Sequence, residues 1–379
     1  MTPDTSWLSV ENVADLASPA LLIFPDRIDY NIRQMIDEVG GDPTLLRPHV
    51  KTHKMGEVVK MQLESGIDRF KCATIAEAEL TAEAGAADVL LSYQPVGPNI
   101  ERMAALQAAY PETDFAAVVD DAANLRRIAQ FFSDKGGSLR LFVDIDCGMG
   151  RTGIVPGPEA LALCQQVLDS EGVTFAGLHI YDGHIHDAAV EARGENFNIA
   201  QHVVEPFLGE LAAAGIDVPL IVGGGSPTFP WHAKLAAKVG HRYECSPGTT
   251  LLWDAGYGTN HPDLKFQVAA ALLTRVLSKP GKGRLCLELG HKAVAGENPI
   301  ANRVRFPDIP DAVPVGQSEE HLVIETSQAD SMKVGDVVYG IPWHVCPTVA
   351  LHQEGIVIRD GRATGERWKV RARDRRITL

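Results

Sequence analysis

Lys51 closes the apolar run LLRPHVKT (45–52), inside the motif RPHVKTHK. A lysine at the end of a buried strand sits in a partly desolvated pocket, where its amine loses protons readily and can form a Schiff base. The segment Gly223-Gly224-Gly225-Ser226-Pro227-Thr228 follows an apolar strand and precedes a helix, with Ser226 suited to an N-cap and Pro227 to a first helical position. Backbone N–H groups of such a turn can cradle a phosphate. A second loop of small residues, Ser246 to Thr250, ends the next apolar run, so the two could hold one phosphate together. His344 and Cys346 stand at i and i+2 and would project to one side of an extended segment. Imidazole and thiolate both ligate zinc, and two protein ligands leave positions open for water and substrate. His53, His184 and His186 are candidates for a general base, since imidazole titrates near working pH. Each pattern also has a plain structural explanation: a solvated strand-end lysine, a tight glycine turn, a buried cysteine, hydrogen-bonded histidines.

These residues need a scaffold. Short apolar runs alternate with helical patterns along the first two thirds of the chain, the signature of βα units around a parallel sheet. The runs are 20–24, 45–52, 70–74, 88–93, 115–120, 139–146, 175–182, 220–225 and 243–249. Nine is one too many for a (β/α)8 TIM-type barrel, so the first is expected elsewhere, pairing with a C-terminal domain. The other eight would close a barrel between about residue 42 and residue 255. Ile28, Ile32, Met35 and Ile36 share a helical face, and Thr74 with Glu77 forms a capping box. From about residue 265 the chain reads as strands with few helices. The expected organisation is an N-terminal segment (1–25), an α/β barrel (26–260) and a mostly β C-terminal domain (261–379). Active sites of such barrels lie at the C-terminal strand ends, where most of these candidate residues fall.

With 379 residues, a net charge of −14 and a pI near 5.4, the chain is acidic, which argues against a nucleic-acid partner. The N-terminus lacks the basic start and apolar core of a signal peptide. No stretch approaches the roughly 18 apolar residues of a membrane span. Six scattered cysteines without CxxC spacing fit reduced thiols. A cytoplasmic protein with no membrane partner is expected.

A lysine for a Schiff base, phosphate loops at a barrel mouth and a C-terminal β domain together resemble the fold-type III pyridoxal-phosphate enzymes. From about residue 15 onward the chain resembles the D-threonine aldolase and D-serine dehydratase family, with an alanine racemase-like barrel. The resemblance implies that Lys51 carries pyridoxal 5′-phosphate, that Arg151 of DCGMGRTG contacts its ring, and that Tyr181 of HIYDGHIH lines it. It places the phosphate at Gly224, Gly225, Gly248 and Thr249, and a divalent metal at His344 and Cys346 of HVCPTVALH. Sulfur favours zinc, with manganese or magnesium as alternatives. The His-x-Cys pair is the dehydratase type, while the flanking PTVALH, the DAGYG segment (254–258) and the Tyr181 loop are closer to the aldolases. The implied activity is retro-aldol cleavage of a D-3-hydroxy amino acid to glycine and an aldehyde, with Lys51, His53 and His186 as catalytic residues. A zinc-assisted dehydratase acting on D-serine or D-3-hydroxyaspartate is the alternative; a racemase or a non-catalytic cofactor-binding protein would share the barrel without the metal. Homodimers are usual in the family, so a homodimer is expected.

Overall fold

A computed structural model describes residues 5–379. The chain divides into two compact units. One comprises Arg33–Lys51, Gly56–Gly248 and Asp374–Leu379; the other comprises the residues up to Ile32, Thr52–Met55 and Thr249–Arg373.

The first unit is the expected barrel. Seven parallel strands follow one another in chain order: Arg69–Cys72, Asp88–Leu91, Asp114–Val119, Leu139–Ile145, Val173–Ile180, Ile221–Gly223 and Tyr243–Cys245. Helices alternate with them, as the sequence rhythm predicts. Leu90, Ala116, Val118, Phe142, Ala176 and Val222 pack into one buried cluster. The eighth place is taken by the segment around Leu46–His49, which makes only isolated bridges, Leu46 to Cys245 and His49 to Lys71. Its backbone hydrogen bonds include Arg47 N to Cys245 O at 2.8 Å, His49 N to Pro247 O at 2.8 Å and Lys71 N to Pro48 O at 2.9 Å. Pro48 has no N–H to give and restrains its neighbour, so LLRPHVKT closes the barrel without becoming a regular strand. Lys51 then falls in a 3-10 turn, Val50–Thr52, immediately past that closure.

Thr74 caps the helix Ile75–Glu83, its side chain accepting the Glu77 N–H, while the Glu77 carboxylate accepts the Ala73 N–H. The capping box is as the sequence predicts. The helix after the triple glycine starts later than expected: it spans Phe229–Val239 with Thr228 as N-cap. Ser226 is freed from capping and takes another role, described below.

The second unit is built on a nine-stranded sheet. Strand Ala20–Ile23 lies within it, antiparallel to Ala270–Gly281 and parallel to Glu354–Arg359. The first apolar run therefore belongs to the C-terminal sheet, as its surplus over eight implied. Leu8, Val10, Leu22, Leu273, Tyr339 and Ile356 form part of this unit's core.

Candidate active site

In the barrel, the register of two neighbouring strands sets the first feature. Asp144 pairs with His179 across the ladder, so both side chains leave the same face and meet, Oδ1 to Nδ1, at 2.7 Å. Both are buried. Burial lowers the His179 pKa more than Asp144 restores it, which favours the neutral ring; with Nδ1–H donating to Asp144, Nε2 would be left as an acceptor. Lys71 Nζ lies 3.5 Å from that Nε2. Lys71 is 2 % exposed, and burial, with Lys51 and Arg151 adding to it, brings its amine down to about 7 against the pull of Asp144 and Asp182.

Three cations gather over one aromatic ring. Lys51 Nζ is 5.7 Å, Lys71 Nζ 5.5 Å and the Arg151 guanidinium 4.8 Å from the centroid of Tyr181. The loop that delivers Arg151 is held by Asp146, whose carboxylate accepts the N–H groups of Gly148 and Gly150 at 2.9 and 3.1 Å. A Cβ on Gly225 would press on the Tyr181 ring at 3.2 Å, so glycine lets the ring lie where it does. Behind it, Asp182 Oδ2 meets His232 Nε2 at 2.8 Å, and His232 Nδ1 meets the Tyr243 hydroxyl at 2.5 Å, all three residues buried. Gly224 has φ +80 and any Cβ there would strike the His232 ring. That position demands glycine on both counts.

Ser226 links the two small-residue loops: its hydroxyl accepts the Gly248 N–H at 3.2 Å. The loops expected to share one phosphate are therefore tied directly to each other.

In the other unit, His344 is the N-cap of a short helix, Val345–Leu351, and Cys346 lies in its first turn. The pair is thus presented by a helix start and not by the extended segment expected, and Cys346 is among the groups that raise the His344 pKa. His344 Nδ1 pairs with Glu297 Oε1 at 2.8 Å. The Cys346 sulfur lies 3.2 Å from the Thr52 hydroxyl and 3.6 Å from that of Thr249. Asp254 accepts the Val345 N–H at 3.0 Å and the Tyr257 N–H at 2.8 Å, anchoring the start of this helix to its own. Among the described residues no cluster of three or more His, Cys, Asp or Glu could hold a metal.

The alanine racemase N-terminal domain model matches residues 23–253 and a serine dehydratase domain model matches residues 269–358. A D-threonine aldolase from Arthrobacter is 31% identical over 365 residues, covering 95% of this chain and 94% of its own. The chain belongs to the D-threonine aldolase and D-serine dehydratase family. It is a pyridoxal-phosphate-dependent lyase. A 3-hydroxy-D-aspartate aldolase from Paracoccus denitrificans is 27% identical, covering 95% of this chain and 93% of its own. The crystal structure of a D-threonine aldolase from Filomicrobium marinum superposes with a TM-score of 0.86 at 28% identity, covering 95% of this chain and 97% of that one.

The residues of this lyase fit both groups the family implies. The cation-rich space over Tyr181 suits an anionic aromatic cofactor, and the joined loops at Gly224–Gly225 and Gly248 suit its phosphate. A thiol and an imidazole whose far nitrogen is fixed by a carboxylate suit a divalent metal, the Glu297 contact leaving His344 Nε2 to face it.

The other expected residues are placed less uniformly. Thr249 follows Gly248 in the chain but belongs to the other unit, where its hydroxyl approaches Cys346. His53 is completely buried with Nδ1 3.2 Å from the Met55 N–H, and burial drives its pKa down to about 3. A ring whose burial disfavours its charged form is less suited to accept a proton than His184 or His186. His186 is exposed, its Nδ1 2.7 Å from the His184 carbonyl, and the His184 ring lies against Gly148.

Lys71, His179, Asp144 and Glu297 were not singled out from the sequence. The signal for Lys71 was present, a charged residue in the middle of the run FKCAT where alternation places it inside the barrel.

Proposed function

We propose that this lyase cleaves D-3-hydroxy amino acids by a retro-aldol reaction, releasing glycine and an aldehyde. The observation that carries the aldol reading is the near full-length similarity to a D-threonine aldolase. The His344–Cys346 pair, with Glu297 beside it, supports a metal-assisted lyase over a racemase. A racemase sharing the barrel has no use for such a pair.

Lys51 Nζ would carry pyridoxal 5′-phosphate, Arg151 and Tyr181 would line its ring, and Gly224, Gly225 and Gly248 would hold its phosphate. When bound, the cofactor supplies an electron sink for the bonds at Cα. His344 and Cys346 would hold a divalent metal, which offers Lewis acidity to an oxygen ligand. The protein's own work is to move protons. In the retro-aldol direction one base takes the proton from the β-hydroxyl as the Cα–Cβ bond breaks, and one acid returns a proton to Cα of the departing glycine. His186 and His184 are the candidates for the first of these, and Lys51 for the second.

A dehydratase is the second reading, favoured by the sulfur ligand at Cys346, which matches the dehydratase form of the metal motif. A product assay separates them. With D-threonine, the aldolase yields glycine and acetaldehyde, whereas 2-oxobutanoate with ammonia would overturn the aldolase assignment in favour of the dehydratase.

A further inference from the structure

Lys71 is a buried lysine with an unusual set of neighbours. Among the described residues no carboxylate lies in ion-pair contact with Lys51, Lys71 or Arg151, although all three converge on the Tyr181 ring. The nearby carboxylates are already engaged, Asp144 with His179 and Asp182 with His232. A buried cation without a counter-ion is costly, so the arrangement asks for an anion from outside the chain. His179 uses one lone pair to hold Lys71 in place at 3.5 Å, and an ammonium has three N–H donors. Two remain for a ligand.

We propose that Lys71 is a cofactor-binding residue of this barrel, donating a hydrogen bond to the phenolic oxygen of the pyridoxal ring. The inference rests on the reading that Lys51 carries that ring. In pyridoxal the phenolic oxygen is ortho to the carbon that a lysine amine captures. Lys71 lies over the same Tyr181 ring as Lys51 and feels its charge, so its amine is the candidate donor to that oxygen, which would supply the missing negative charge. Asp144 acts through His179 as a positioning residue, holding the ring with Nε2 toward Lys71. The groups that face Lys71 and tune its charge are Lys51, Arg151, His179, Asp144 and Asp182.

The test is a pH titration of the visible absorbance of the holoenzyme, with pyridoxal phosphate binding to the apoprotein measured alongside. A donor beside the phenolic oxygen makes the proton on the neighbouring lysine–cofactor nitrogen easier to lose. Lys71→Met is expected to raise the midpoint of the visible band by about one pH unit and to weaken cofactor binding about tenfold, the scale of one charge-assisted hydrogen bond. Lys71→Gln keeps a donor without the charge and should fall between the two; it also serves as the variant if Lys71→Met fails to fold by circular dichroism. Unchanged midpoint and affinity in both variants would overturn the proposal. So would an unchanged midpoint with a tenfold rise in KM for D-threonine at constant kcat, which would assign Lys71 to the substrate carboxylate instead. Lys51→Ala keeps the two readings apart: if the visible band survives that change, the cofactor is not carried on Lys51 and the premise itself fails.

Discussion

Residues that bind a charged cofactor carry a cost when the cofactor is absent, and Lys71 shows it. Its amine is lowered from 10.5 to about 7, first by burial and then by Lys51 and Arg151. In the unfolded chain the same amine holds its proton until about pH 10. Between these values the unfolded state binds more protons, so stability climbs as pH rises from 7 to 10, and below 7 the full penalty applies, up to about 5 kcal/mol. Lys71→Met should therefore stabilise the apoprotein at about pH 6 while weakening its hold on the cofactor. Urea midpoints of the two apoproteins at about pH 6 and pH 10 check this: the mutant's advantage should shrink at the higher pH, and an advantage independent of pH would contradict the argument. This trade of stability for a binding group is common at functional sites. It also explains what a reading of the sequence could and could not find. Lys51, Tyr181, Arg151 and the glycines could be singled out as candidates because their motifs sit at strand ends, where barrel chemistry collects. Lys71 offered only a charge inside an apolar run, and neither it nor His179 acquires a role until the closed sheet supplies its strand neighbours.

At the scale of elements, the irregular closure of the barrel is the weak point, and ion pairs reinforce it. Arg47 lies in the segment that bridges the first and last strands, with Nε 2.5 Å from Glu244 and Nη1 2.6 Å from Asp88. Asp88 also receives Arg140 at 2.8 Å, and Glu244 receives Arg69 at 2.6 Å. Where Pro48 denies the ladder a hydrogen bond, these side chains hold the strands' N-terminal ends together. Burial alone would raise the Asp88 pKa, but Arg47 and Arg140 overcome it and hold the carboxyl at about 2. A folded-state pKa below the unfolded value contributes stability that is complete above about pH 4 and lost as pH falls through 2, here about 2 kcal/mol. Wild-type protein should lose that increment between about pH 5 and pH 2, whereas Asp88→Asn should be less stable at pH 5 and lose correspondingly less on acidification, read by urea denaturation at both pH values. Equal acid losses in the two proteins would remove Asp88 from this role. The sequence disclosed LLRPHVKT as a barrel element because it is apolar, but its one proline was enough to change a strand into a bridged segment. The late start of the helix after the triple glycine has a similar cause. Ser226, a good cap on its own, spends its hydroxyl on Gly248.

At the scale of the molecule, each unit carries its own candidate residues: the lysines, Tyr181 and Arg151 lie in the barrel, and His344 and Cys346 in the unit built on the nine-stranded sheet. Counting apolar runs located the seven barrel strands and the run that joins the second sheet, but counted LLRPHVKT as an eighth strand where the structure has a bridged segment. The junction at Gly248 and Thr249 was not legible, because no shift in composition marks it. This division predicts that the two groups can be removed independently. His344 and Cys346, the pair proposed to hold a metal, are ligands of intermediate hardness or softer, so a chelator would compete for an ion held largely by water and substrate. Dialysis against a chelator should abolish lyase turnover while leaving the visible absorbance of the lysine-bound cofactor unchanged. Activity should return with zinc or manganese at lower concentration than with magnesium, because the thiolate of Cys346 discriminates against the hardest cation. Cys346→Asp should narrow that difference by replacing sulfur with oxygen. Loss of the visible band together with the metal would mean that the ion helps to hold the cofactor, and turnover that survives chelation would remove the metal from the reaction.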